Sequence, residues 1–262
     1  QARIVCGDGV EYLRQRDPVD FIYLDPARRD EHGSRTYAIE DCTPNVFELR
    51  DLLLAKSQYT LVKLSPMLDW RKAVADFDGT VREVHIVATG NECKELLLVL
   101  GQQMHEEPSA PRVFCVNDNQ RIDYDSAAYT QGLRIGGKPL PEAKNYLYEP
   151  NASIMKAGCF DLVEERFGVT QVGPSSHLFV SATPVADFPG RGFAIEAIGG
   201  MNKKDIKRLL NGTKQANIAV RNFPLTAPQL RKKLKLADGG PVYLFGTTMQ
   251  GCDHVLLRTS KI

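Results

Sequence analysis

The segment Val19-Asp20-Phe21-Ile22-Tyr23-Leu24-Asp25-Pro26-Ala27-Arg28 constrains the fold of this chain more than any other stretch. A run of apolar, aromatic and β-branched residues ends abruptly at an acidic residue and a proline. Its length and composition predict a buried strand of a parallel sheet. Pro26 stops the strand, because proline has no N–H to continue a ladder and fixes its own φ. In open α/β sheets ligands gather at the carboxyl ends of strands, so Asp25 stands where chemistry is done. The plainer use of such a pair is that Asp25 caps the next turn and Pro26 only ends the strand.

The surrounding pattern alternates strands and helices. Residues 3–6 read as a strand, Gly7-Asp8-Gly9 as a turn, and Val10 to Arg16 as a short helix. After a polar loop from Asp30 to Pro44, Asn45 caps a helix through Val46, Leu49, Leu52, Leu53 and Lys56. Tyr59 to Leu64 is a further buried strand, ended by Ser65-Pro66. Asp69 to Phe77 reads as a helix, and Val81 to Ala88 and Lys94 to Leu100 as two closing strands.

Composition bounds the class of molecule. The 262 residues suffice for two or three domains, and a net charge of +1 with 25% charged residues is that of an ordinary folded chain. No apolar stretch approaches the roughly 18 residues that cross a bilayer, and no basic-then-apolar leader opens the sequence. Cys6, Cys42, Cys93, Cys115, Cys159 and Cys252 lack Cys-x-x-Cys spacing, which argues against a zinc knuckle or a disulfide scaffold. A reducing, cytoplasmic setting follows. His32, His85, His105, His177 and His254 show no metal-ligand spacing, so no metal is predicted, and His85 reads as a satisfied strand histidine.

Pro108 and Pro111 mark a composition change, giving predicted domains at 1–107, 108–187 and 188–262. In the second, residues 112–145 read as short strands and turns. Asn151 then caps one helix to Phe167, and Ser176 to Ala182 returns as a strand. The third reads β-α-β-α-β-β: Phe193 to Ala197, Asn202 to Leu210, Asn217 to Val220, Ala227 to Leu236, and a hairpin of Pro241 to Gly246 with His254 to Thr259.

A strand followed by Asp25-Pro26-Ala27-Arg28 resembles the substrate-gripping motif of class I S-adenosylmethionine-dependent methyltransferases. That motif usually runs Asp or Asn, Pro, Pro, aromatic, or Asp-Pro-Pro-Arg in some RNA methylases. Residues 2–102 resemble the second half of the seven-stranded sheet of that family. Tyr146-Leu147-Tyr148-Glu149-Pro150, Lys214-Gln215-Ala216-Asn217-Ile218 and the final hairpin resemble the THUMP-like domain that follows the catalytic domain in one branch of it. The fold class implied is α/β, the second half of a Rossmann-like methyltransferase sheet followed by small α+β domains, ferredoxin-like and THUMP-like.

The resemblance implies S-adenosylmethionine as cofactor. Its glycine-rich loop belongs on two earlier strands, so the chain is expected to be cut from a longer protein and to bind the cofactor poorly alone. Asp25 and Pro26 would accept hydrogen bonds from a target amine and aim its lone pair at the methyl group. Arg28, with Arg29, replaces the usual aromatic residue and suits a phosphate or a base face. Tyr37 or Trp70 could supply the missing ring. Asp8 would accept from the adenine amine and the Gly9 N–H would contact the ring, although Asp8 also suits a helix N-cap. Carbon-5 methylation of uridine would need a cysteine where Lys63-Leu64-Ser65-Pro66 stands, and Cys93 reads as structural.

Charge is concentrated near the end. Lys203, Lys204, Lys207, Arg208, Lys214, Arg221, Arg231, Lys232, Lys233 and Lys235 face only Asp205 between residues 201 and 235, so that stretch carries +9 and the remainder −8. The first six of these are the candidate RNA contacts; tRNA and rRNA both stay open as the partner, since charge does not name the RNA. A solvated pair of helix faces is the bland counterpart. Three readings stay open on residues alone: a methyltransferase acting on RNA, a non-enzymatic RNA-binding or assembly protein on a degenerate methyltransferase scaffold, and a small-molecule methyltransferase.

Overall fold

The computed structural model describes residues 2–27, 42–102, 110–129, 141–142, 144–251 and 253–262. They fall into two units, Gln1–Thr130 and Gln131–Ile262, each built on its own sheet. No helix among the described residues is long and apolar enough to cross a membrane.

In the first unit α1 (Gly9–Gln15) precedes β1 (Val19–Leu24), α2 (Val46–Lys56) leads into β2 (Ser57–Leu64), and α3 (Trp70–Asp76) into β3 (Val81–Thr89). Then follow β4 (Glu92–Gly101), β5 (Arg112–Asn117) and β6 (Gln120–Asp125). Short polar side chains start each helix: Asp8 accepts from the Val10 and Glu11 amides, Asn45 from Phe47, and Asp69 from Arg71 and Lys72. These bonds satisfy first-turn N–H groups that have no partner within the helix. The strand order is β1-β2-β4-β3-β5-β6, with β1/β2 and β3/β5 parallel and the other pairs antiparallel.

Period-2 patterning closes one face of this sheet. Val62, Leu64, Val84, Ile86, Leu96, Leu98 and Leu100 are buried there, as are Val46 and Leu53 of α2 and Trp70 and Ala73 of α3. Each such aliphatic side chain contributes roughly 1.5–3 kcal/mol through burial. The alternate residues are half-open, and Phe21, Tyr23 and Tyr59 are 54%, 54% and 45% exposed.

Three expectations for this unit are corrected. Residues 3–6 form no strand: they pair with no ladder among the described residues, and Ile4 is 95% exposed. An extended segment without a partner gains nothing from its β propensity. Among the described residues β1 bonds to β2 and to no other strand, and its side chains are half-buried or exposed rather than buried on both sides. The sheet also runs past the predicted boundary at 107. β5 pairs with β3 from Glu83↔Arg112 to Ala88↔Asn117, and Val113 and Cys115 extend the buried face.

The second unit contains β7 (Tyr146–Pro150), α4 (Ala152–Ala157), α5 (Phe160–Phe167), β8 (Thr170–Gln171), β9 (Phe179–Ser181) and β10 (Gly190–Gly199). It continues with α6 (Lys203–Leu210), β11 (Asn217–Arg221), α7 (Ala227–Leu234), β12 (Val242–Thr248) and β13 (His254–Lys261). The helix expected up to Phe167 is two helices, because Gly158 adopts φ +67° and ends α4 in the left-handed region. All seven strands share one sheet, β11-β12-β13-β10-β7-β9-β8. β10 bonds to both β7 and β13, so the two α+β pieces expected at 108–187 and 188–262 are joined edge to edge.

Leu209, Leu230 and Leu234 of α6 and α7 pack with Leu244 and Leu256. A separate apolar cluster holds Leu147, Phe193, Phe245 and Leu257 with Val172, Leu178 and Val180. The sheet curls until the β8–β9 turn meets the far strands: Asn222 Nδ2 donates to Pro174 O at 2.7 Å and the Gln250 amide to Val172 O at 2.9 Å.

Candidate functional site

Asp25 follows the last residue of β1, where the parallel register Leu24↔Val62 brings it beside Lys63 of β2. Lys63 Nζ donates to Asp25 Oδ2 at 2.8 Å and lies 3.8 Å from Glu95 of β4. The Asp25 hydrogen bond, aided by the Glu95 charge and opposed by burial, raises the Lys63 ammonium above its ordinary range, so it stays cationic at neutral pH. Pro26 is buried. Beyond it Ala27 and Thr43 exchange backbone hydrogen bonds of 2.9 and 3.1 Å, which pin the turn on its far side. Asp25 is thus held between β1 and the Ala27–Thr43 bridge with its side chain 42% exposed. Arg28, Arg29 and Tyr37 lie outside the described residues. Trp70 is 4% exposed under Arg71 and cannot offer its ring to a substrate base.

Lys63 was not among the site residues read from sequence. The signal was present: two strands that each end on an acidic or hydroxyl residue plus proline, Asp25-Pro26 and Ser65-Pro66, are in parallel register.

Asp8 does cap α1, its Oδ1 accepting from Val10 N at 2.8 Å and Glu11 N at 3.1 Å. It also lines, with Gly9, a cleft of about 580 Å³ walled by Val10, Leu13, Ile22, Leu24, Leu49 and Leu53. Gly9 has open space around it. A hollow of this size with apolar walls and a few polar groups is what a small ligand fills.

The basic residues divide. Lys203, Lys204 and Lys207 are exposed along α6, Lys214 is exposed beyond it, and none of the four makes an ion pair among the described residues. Arg208 donates to Asp205 at 3.1 Å and to Ile198 O at 2.7 Å, which ties α6 to β10. The Gly200 amide, then Arg208 and Asn202, lower the Asp205 carboxyl below its ordinary range. Arg221 is turned elsewhere: its Nη2 donates to Glu149 Oε1 at 2.9 Å. Arg191 donates to the other oxygen, Oε2, through Nε at 3.0 Å and through Nη2. His85 bonds Glu83 at 2.8 Å and stacks on Phe114, a satisfied histidine.

Comparison with known proteins bears on this geometry. Residues 146–189 match a family described as a ferredoxin-like domain, and residues 190–261 one described as THUMP domain-like. A solved structure from Porphyromonas gingivalis W83, described as a "putative methyltransferase", superposes with a TM-score of 0.83 at 35% sequence identity. The match covers 97% of this chain and 63% of that one, so this chain is its homologue and spans under two thirds of its length. No curated protein matches the sequence.

Proposed function

We propose that the protein carrying this chain is an S-adenosylmethionine-dependent methyltransferase that acts on RNA. The observation that carries the reading is Asp25-Pro26 at the carboxyl end of β1, with Asp25 bonded by Lys63 and the turn tied by Ala27 and Thr43. The homologue described as a methyltransferase and the THUMP-like match support it, the second because it favours an RNA substrate.

The residues present suit the adenosine part of the cofactor: apolar walls for a purine, Asp8 as an acceptor, and Gly9 leaving room for close approach. When bound, the cofactor supplies an electrophilic methyl group. The chain's own work is alignment. Asp25 Oδ1, left over by Lys63, and the carbonyl at Pro26 accept hydrogen bonds from the target amine and fix its lone pair. Lys63 keeps the carboxylate from swinging, and its charge balances Asp25 at the strand end. The exposed lysines of α6 hold the RNA backbone without reading its sequence.

Labelled methyl transfer to RNA tests this. Asp25→Ala should lower turnover by roughly a hundredfold or more while cofactor binding changes little, as expected when a positioned acceptor is lost. These assays use the full-length protein, and RNA binding without transfer by its wild-type form would favour the non-enzymatic scaffold instead.

A further inference from the structure

The second unit holds a group of charges that methyl transfer does not use. Glu149, on β7 and 4% exposed, takes Arg191 from β10 on one oxygen and Arg221 from β11 on the other. One carboxylate cancels one of the two positive charges, so the group keeps a surplus of +1. The arginine side chains stay 44% and 40% exposed. Arg191 spends two of its donors on Glu149 and Arg221 one, and a guanidinium has five.

The surroundings are strained and incompletely satisfied. In the turn after β8, Ser175 and His177 adopt φ +55° and +51°, and Asn222, next to Arg221, adopts +47°. Left-handed backbone at non-glycine residues costs energy and gathers where a ligand or switch needs it. The His177 ring stacks on Phe160 at 4.4 Å and lies within electrostatic range of Arg221. Arg221 Nε and Thr247 Oγ1, on register partners of β11 and β12, are buried with no hydrogen-bond partner among the described residues.

We propose that Arg191 and Arg221, clamped by Glu149 and flanked by His177, form a phosphate-binding site whose occupant is a phosphate of an RNA chain. Guanidinium forks match phosphate oxygens two at a time, and the Glu149 clamp fixes both forks before binding, so little side-chain freedom is lost. A polymer of phosphates fits better than a lone nucleotide because the +9 stretch belongs to the same unit. The choice of RNA as occupant rests on the reading above; the anion site does not.

The test is a titration of the 262-residue chain followed through the arginine Nε–Hε resonances. Inorganic phosphate should shift Arg191 and Arg221 saturably, while chloride at equal ionic strength should not. A short single-stranded RNA should move the same two resonances. Arg221→Gln leaves Glu149 paired with Arg191 and should weaken phosphate binding about tenfold or more, as loss of a charged fork does. Should that variant not fold, Arg191→Gln and the wild-type titration still decide. No shift with phosphate beyond chloride would overturn the site, even if RNA still binds through the lysines. A phosphate shift that RNA fails to reproduce would overturn RNA as the occupant and leave an anion site.

Discussion

His177 is held against becoming charged: burial, then the field of Arg221, lowers its pKa below the ordinary 6.5. Above about pH 6.5 the ring is neutral in folded and unfolded chains alike, and no difference arises. Below it the unfolded chain takes up a proton that the folded chain refuses, so stability falls as pH drops. Replacing His177 by Asn, which tolerates positive φ, should flatten that decline. Urea midpoints at pH 7.5 and 5.0 check this, and parallel profiles for the two proteins would contradict it. At the same scale, the placement of Asp25 at the end of β1 and of Asp8 as the N-cap of α1 was legible from the proline and glycines beside them. Glu149, Arg191 and Arg221 were not, since 42 and 72 positions of sequence separate the partners: the pairing of β7 with β10 sets Arg191 opposite Glu149, and Arg221 reaches the same carboxylate from β11.

Among the elements, the turn between β8 and β9 closes the curl. Gly173 sits so near β12 that a Cβ there would stand 2.3 Å from the Thr248 carbonyl oxygen. Gly173→Ala should therefore force the turn outward and cost about 1–3 kcal/mol, the usual range for overpacking. It should also loosen the Asn222–Pro174 and Gln250–Val172 hydrogen bonds. Chemical denaturation measures the first effect and amide exchange at Gln250 the second; an unchanged midpoint would mean that the turn gives way freely. Strand and helix order were readable from periodicity, because caps such as Asn45, Asp69 and Asn202 stand beside the apolar runs they start. The fate of residues 3–6 was not readable, since a strand exists only with a partner and pairing is not a local property.

Across the whole molecule, two units carry separate parts of the proposed function. One offers a pinned carboxylate at a strand end, and the other offers lysines on α6 over a curled sheet. Domain limits were the weakest reading, because prolines mark a loop without saying which sheet the next strand joins. β5 joined the first sheet on the strength of Val113 and Cys115. The charge run was legible as composition, yet its division into exposed lysines and pinned arginines depended on acidic partners such as Asp205 and Glu149.

Action on RNA is the central functional claim, and anisotropy of a labelled structured RNA against salt addresses it most directly. Affinity should fall steeply as salt rises, each lysine–phosphate contact adding about −0.7 to −0.9 to the log–log slope. Reversing Lys203, Lys204 and Lys207 to Glu should weaken binding to all sequences alike and flatten the slope, with the fold retained because these side chains are exposed. Salt-insensitive binding, no binding, or a triple variant that binds as the wild type does would contradict the assignment of RNA to this surface.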